Sequence, residues 1–184
     1  MRTAIVLAIA LAVGTPALAE DALTSPYRQQ AAAGLRGLSE SEIAELRTGA
    51  GMGQARAAEL NGYPGPRHVL DAVAAGKLTV SPEQLQRIQK VFDEMEREAQ
   101  RLGARILEEE RQLEAQFSEA SVTPEALHSR VARIAALRGE LRTVHLSAHL
   151  ATRAILSDAQ VARYNELRGY TPDAGEHQHP HHQH

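Results

Sequence analysis

The sequence lacks cysteine and tryptophan, and it has only two phenylalanines and four tyrosines among 184 residues. The absence of cysteine excludes disulfides and thiolate metal sites. The scarcity of aromatic residues argues against a β-sandwich or a doubly wound sheet, because strands favour β-branched and aromatic side chains. The composition therefore favours an all-α fold, a long antiparallel helical hairpin with short flanking helices or a small bundle.

The charge and motif content exclude further classes of protein. Twenty basic residues stand against 23 acidic ones, for a formal net charge of −3. Such a chain has no overall positive field with which to hold nucleic acid. The sequence contains no nucleophile-elbow, phosphate-loop, dinucleotide or zinc-protease motif. A long, thin hairpin also offers no deep substrate pocket, so we expect a binding protein and not an enzyme.

The first residues have the pattern of an export signal. Arg2 supplies a positive start, residues 4–13 are apolar, and Ala17 and Ala19 are the small residues that precede a cleavage site. The alternative is a membrane anchor, but a spanning helix needs about 20 apolar residues. We predict a cleaved signal peptide over residues 1–19, a periplasmic location, and no membrane insertion of the mature chain.

After the predicted signal peptide, the pattern of helix starts and stops divides the chain into three segments. Residues 20–50 are predicted to be flexible, with one short helix that begins at a capping box of Ser39 and Glu42. Residues 51–170 are predicted to form the helical-hairpin domain. Two long helices, capped by Ser81 and Thr123, carry apolar residues at alternating three- and four-residue spacings, with Glu109 interrupting the first. The short connection makes them antiparallel. Residues 171–184 lack an apolar period, which predicts disorder.

Two helix starts share one pattern, an aliphatic residue, a hydroxyl, two polar residues and glutamine. The hydroxyl caps the helix, and the glutamine returns to the N–H of the capping residue. The residues that carry the pattern are Val80, Ser81, Gln84, Leu156, Ser157 and Gln160. Taken singly, each is an ordinary capped helix.

The pair of motifs, in an exported and cysteine-free helical chain, resembles the LTxxQ-motif family of periplasmic proteins. That family includes Spy-like and CpxP-like chaperones, zinc-associated ZraP-like proteins and CnrX-type heavy-metal sensors. The resemblance spans residues 51–170, although serine replaces threonine in both motifs and valine replaces leucine in the first. It implies a hooked hairpin, often dimeric, with a cradle-like surface, and a non-catalytic role in stress or metal response.

A histidine-rich tail ends the sequence. Interruption by glutamine and proline argues against an artificial purification tag. Neutral imidazoles bind Zn²⁺, Cu²⁺ and Ni²⁺, so the tail predicts capture of a divalent metal ion, and a solvated tail without a role is the alternative. Its histidines are His177, His179, His181, His182 and His184.

A second candidate metal site lies on the second long helix. His145 and His149 are four residues apart, so both imidazoles project from one face. A tetrahedral site needs two further ligands, and the hairpin register places Glu96 and Asp93 opposite. A register slip would bring Met95, Glu98 or Gln89 instead. The alternative is a pair of half-buried edge residues.

Two loop or turn residues are weaker candidates. His68 follows a proline-rich turn and could cover the helix site, although a surface position is the simpler interpretation. Met52, between two glycines, could be a soft copper ligand, although an apolar anchor of the loop is the simpler interpretation.

The sequence supports three hypotheses of function. The first is a chaperone-like stress protein that binds metal, and holds unfolded or envelope proteins without ATP. The second is a heavy-metal sensor or buffer that acts on a signalling or envelope partner, such as a membrane sensor. The third is a structural interaction module. A homodimer is expected, and the predicted client-binding residues are Arg101, Arg105, Arg133 and Arg138.

Overall fold

The computed structural model describes residues 24–28 and 34–170. The predicted signal peptide, residues 1–19, and the histidine tail, residues 171–184, lie outside the described residues. The chain divides into two units, Met1–Arg36 and Gly37–His184. In the first unit a turn forms at Ser25, whose carbonyl accepts from the Arg28 N–H at 3.1 Å. Everything below concerns the second unit.

The described part of the chain is helical and contains no strand, as the composition predicted. Two long helices, α4 and α5, pack against each other as an antiparallel hairpin. None of the described helices is long and apolar enough to span a membrane. The helices are α1 Glu40–Thr48, α2 Arg56–Glu59, α3 Pro66–Ala74, α4 Pro82–Ser118, α5 Pro124–Ile155 and α6 Asp158–Arg168.

The helix starts are fixed locally. Ser39, Ser81 and Ser157 each accept a hydrogen bond from the backbone N–H three residues on, and the Glu or Gln there accepts from the N–H of the serine. Thr123 caps α5 through its side chain, with a proline at the first helical position. These contacts satisfy backbone N–H groups at the helix start, which have no carbonyl partner within the helix. The predicted capping boxes are confirmed.

One apolar cluster lies where α4 begins and α5 ends. We call this the motif end, because both glutamine motifs are there. α3 and α6 cover it, so that the side chains from four helices share one core. Its buried residues are Val69, Leu78, Ile88, Ile155, Leu156, Val161 and Tyr164.

Helix α1 crosses α4 at Gly103. A Cβ placed on Gly103 would lie 1.9 Å from the backbone oxygen of Leu46, far inside contact distance. Only glycine therefore permits this approach. The chain turns away after α1 at Gly49, which has a left-handed φ of 70°. Helix α1 belongs to the same unit as the hairpin.

The other end of the hairpin, which we call the connection end, is formed, among the described helices, by α4 and α5. Its centre is polar, since the Glu109 carboxylate accepts from Arg130 at 2.6 Å and from Arg133 at 3.3 Å. Phe117 and Val131 are 55% and 48% exposed there. Glu109, which interrupts the apolar pattern of α4, thus forms an ion pair with arginines of α5.

Candidate functional site

The two glutamine motifs contact each other directly. Gln84 Nε2 donates to Gln160 Oε1 at 2.9 Å, and Gln160 Nε2 donates to Gln84 Oε1 at 3.0 Å. Gln84 Nε2 also donates to the carbonyl of Ile155, next to the second motif, and Gln160 Nε2 donates to the carbonyl of Thr79, next to the first. Each Oε1 accepts from its own capping serine at 2.9 Å. We call this arrangement the glutamine clasp, and it uses every donor of both amides.

The buried carboxylate of Glu59, on α2, forms hydrogen bonds both with the turn before α3 and with residues on and just after α6. Its Oε1 accepts from the Tyr164 hydroxyl at 2.6 Å, the Tyr170 hydroxyl at 3.2 Å and Arg168 Nε at 3.2 Å. Its Oε2 accepts from the backbone N–H of Gly65 at 3.2 Å. Burial and the bond to Glu59 raise the pKa of Tyr164 far above its usual range, so this phenol stays protonated.

His149, on α5, is held by the same cluster. Its Nδ1 lies 2.7 Å from the carbonyl oxygen of Tyr63 and 3.6 Å from Glu59 Oε2. A carbonyl can only accept, so Nδ1 carries the proton and donates. The lone pair of a neutral His149 ring is therefore on Nε2, in the form that binds metal ions.

His145 lies one turn earlier and is 3% exposed. Its Nε2 is buried and has no hydrogen-bond partner among the described residues. Burial, and secondarily the nearby His149, lower the pKa of His145, so its ring is neutral at pH 7. A buried nitrogen without a partner is costly in a structural role, which makes it a candidate for binding.

Both histidines line a cavity of about 510 Å³. Its wall includes Met52, a non-glycine residue in the left-handed region with φ 48°. Strained backbone of this kind clusters at binding sites. The cavity is bounded by the loop before α2, α2 itself, one residue of α3, two of α5 and the end of the described chain. The lining residues are Gly51, Met52, Gly53, Ala55, Arg56, Glu59, Leu60, His68, His145, His149 and Tyr170.

The structure does not bring the four predicted helix-site ligands together. Among the described residues that line the cavity, none comes from α4, the helix of Glu96 and Asp93. Asp93 instead lies in a groove along α4, where its carboxylate accepts from Gln89 at 2.7 Å. The physical reason is that α2 and the turn before α3 cover the histidine face of α5. His68 does line this cavity, as the sequence allowed.

Within residues 24–28 and 34–170, no group of three or more His, Cys, Asp or Glu side chains is arranged to hold a metal ion. The cavity lining therefore does not by itself provide three such metal-ligating side chains. Of its possible ligands, His145 and His149 lie one turn apart on α5. Glu59, Tyr164 and Tyr170 were missed by sequence reasoning. No motif marks them, because their bonds span more than 100 residues of chain.

The four predicted client-binding arginines all lie within ion-pair distance of a carboxylate of the same chain. An incoming acidic group would have to compete with those partners. The pairs are Arg101 with Glu98, Arg105 with Glu140, Arg133 with Glu109, and Arg138 with Glu110.

No family model, curated protein or solved structure matches the chain. The LTxxQ resemblance therefore stays a prediction that rests on the motif residues. Function is inferred from the cavity, the clasp and the sequence pattern.

Proposed function

We propose that the chain is a periplasmic stress-response protein that binds a divalent metal ion in the cavity and also holds unfolded proteins. The observation that carries the metal proposal is the buried, unpartnered Nε2 of His145. It lies in one cavity with His149, whose Nδ1 contact leaves the Nε2 lone pair free. Two imidazoles on one helix face are a donor pair that transition-metal ions accept.

The donor set fits Zn²⁺, Cu²⁺ or Ni²⁺, ions that accept imidazole nitrogen. His145 and His149 would hold the ion, with His68 and the Met52 thioether as further candidates from the same wall. Glu59 and the Tyr63 carbonyl orient His149 from behind, the arrangement that fixes a ligating histidine.

Such an ion would connect α5 to the segments that cover it. The cavity wall includes the loop at residues 51–53 and the start of α3, so binding there favours one placement of these elements. A ligand that prefers one arrangement shifts the population toward it. This coupling supports the second candidate, a metal sensor or buffer that acts on a signalling partner.

The client-binding part of the proposal is supported by the connection end. Phe117 and Val131 are exposed there at 55% and 48%, near the connection between α4 and α5. Exposed apolar side chains are what an ATP-independent holding protein needs. The LTxxQ resemblance implies the same activity.

Calorimetric titration with Zn²⁺ and Cu²⁺ tests the metal site. We expect residues 20–170, which lack the tail, to bind one ion, and His145→Leu or His149→Gln to weaken binding at least tenfold. His128→Gln is the matched control, because His128 is exposed on the same helix. Binding that is unchanged in both cavity variants, or absent from residues 20–170, would contradict the proposed site.

Suppression of aggregation of a denatured client tests the chaperone part. Phe117→Ser with Val131→Thr should reduce suppression, whereas Leu150→Ser, at an exposed position on another part of α5, should not. If the intact chain leaves aggregation unaffected at molar excess, the chaperone function is rejected. A change in suppression when metal is added would favour the sensor.

A further inference from the structure

We propose that the cavity prefers monovalent copper, Cu⁺, and that the thioether of Met52 completes the site with His145 and His149. This inference rests on the proposed function, because it concerns the same cavity. It goes beyond that proposal by naming an ion of lower charge than the divalent ions considered there. It also gives the loop before α2 a ligand of its own.

Met52 lies in the wall of the cavity that His145 and His149 also line. Its side chain is only partly buried, and it does not belong to the apolar core. A methionine that served only to anchor its loop would be expected in that core. The position of Met52 therefore favours contact with a bound group.

The loop that carries Met52 is an ordered turn with a strained backbone. Met52 has a left-handed φ of 48°, which residues other than glycine rarely adopt. Before it, the Gly51 carbonyl accepts from the Gln54 N–H at 2.7 Å. After it, the Gly53 carbonyl accepts from the Arg56 N–H at 3.2 Å. Strain that is held in place in this way is concentrated at binding sites.

The cavity offers few ligands to a harder ion. Glu59 is the only carboxylate among the described residues of the wall. Its Oε1 accepts from Tyr164 at 2.6 Å and from Arg168 at 3.2 Å, and its Oε2 accepts from the Gly65 N–H at 3.2 Å. In the part of the chain that the structure describes, no three His, Cys, Asp or Glu side chains are arranged around a metal ion. A structural Zn²⁺ site takes four such ligands, and the wall does not supply them.

The donors that remain suit Cu⁺. A thioether is a soft ligand that selects this ion, and imidazole also binds copper. Nε2 of His145 is buried without a hydrogen-bond partner among the described residues, and the Nδ1 contact of His149 leaves its Nε2 as the acceptor. All three donors are uncharged, so a bound ion keeps its full charge. A single charge is less costly to bury than a double charge, and Arg56 in the same wall repels it less.

Anaerobic competition for Cu⁺ against a chromophoric chelator tests the site. The protein is the chain from residue 20 to 184 with glutamine at each tail histidine, so that the tail imidazoles do not compete. Met52→Leu removes the sulfur and keeps an apolar side chain of similar size. Met95→Leu is the matched control, because Met95 is also partly buried but lies on α4, which does not line the cavity.

Two further measurements accompany the competition. Calorimetric titration with ZnCl₂ follows a divalent ion in the same proteins, and His145→Leu removes an imidazole. X-ray absorption at the copper edge identifies the neighbours of the ion. From residue 20 onward the chain has no cysteine and only two methionines, so the Met95→Leu protein contains a single sulfur atom, that of Met52. Thermal melts followed by circular dichroism establish that each variant is folded.

We expect Met52→Leu to weaken Cu⁺ binding at least tenfold and to leave Zn²⁺ binding nearly unchanged, because zinc does not favour a thioether. Met95→Leu should change neither affinity, and His145→Leu should weaken the binding of both ions. The copper spectrum of Met95→Leu should show a sulfur neighbour beside nitrogen. The spectrum of Met52→Leu should show no sulfur.

The failures of the two proposals are distinguishable. A copper spectrum without a sulfur neighbour, or Cu⁺ binding that Met52→Leu leaves unchanged, overturns the assignment of copper. The metal site of the proposed function still stands in that case if His145→Leu weakens Zn²⁺ binding. If His145→Leu changes the binding of neither ion, or if neither ion binds, both proposals are overturned. Should Met52→Leu fail to fold, the spectrum of Met95→Leu decides alone.

Discussion

The two ends of the hairpin are built differently. At the motif end, α2, α3 and α6 surround the long helices, and Glu59 and the glutamine clasp join segments that are far apart in sequence. At the connection end, α4 and α5 meet across an ion pair centred on Glu109. The apolar cluster around Ile88 and Tyr164 belongs to the first end, whereas other buried apolar residues, Leu102, Ile106, Leu137 and Leu141 among them, lie along the middle of the two long helices. The two ends therefore differ in what holds them, with long-range hydrogen bonds and an apolar cluster at the motif end and an ion pair between two helices at the connection end.

The largest effect should come from the buried carboxylates. Glu59→Gln removes the charge that holds Arg168 and two tyrosines, and we expect it to lower the free energy of unfolding by about 3 kcal/mol. Glu109→Gln is its counterpart at the connection end. The side chains of Glu109 and Arg130 are only 13% and 18% exposed, but Arg133 is 60% exposed and Arg130 keeps Gln112, so that change should cost less, about 2 kcal/mol. Urea denaturation measures both. Equal losses would contradict the difference between the ends.

Two glycines inside the long helices give the next comparison. Gly103→Ala places a methyl group on the backbone of Leu46, which should displace α1 and lower stability by about 2 kcal/mol. A Cβ placed on Gly139 would instead meet nothing within 4 Å. Gly139→Ala should therefore raise stability by up to about 1 kcal/mol, through helix propensity. Thermal unfolding of the two variants should shift in opposite directions, and a stabilised Gly103→Ala would show that α1 is not docked.

The glutamine clasp is tested by a double-mutant cycle. Gln84→Ala and Gln160→Ala each remove a cap contact and the reciprocal bonds. We expect a coupling of about 1 kcal/mol between them. Gln86→Ala, on an exposed position of α4, is the control and should not couple to Gln160. Simple additivity of the first pair would mean that the two motifs act as separate helix caps.

The smallest effect is one of pH. Burial lowers the pKa of His145 in the folded chain, while the unfolded chain titrates near about 6.5. Below that value the unfolded state takes up a proton that the folded state does not, so stability falls as the pH is lowered. His145→Leu should therefore flatten the fall between about pH 7.5 and about pH 5.5, measured with a chelator present. His128→Leu, at an exposed position, should keep it.

The sequence was sufficient to predict the features that depend on residues close together in the chain. Ser39, Ser81 and Ser157 fix helix starts within four residues, and the apolar spacing of α4 and α5 gives the hairpin. It was insufficient for the cavity wall, because α2 and the turn at Tyr63 lie against α5 through contacts distant in sequence. Pairing α5 only with α4 is what led to Asp93 and Glu96. His145 and His149 were found because their spacing is local.

The absence of tryptophan gives the Glu59 cluster a practical property. Tyrosine alone dominates the near-ultraviolet signal, and three of the four tyrosines, Tyr63, Tyr164 and Tyr170, contribute atoms to this cluster. The hydroxyls of Tyr164 and Tyr170 donate to a carboxylate, a contact that alters the absorption and emission of a phenol. The protein therefore carries its own optical reporter, without a label, in the cluster that holds His149.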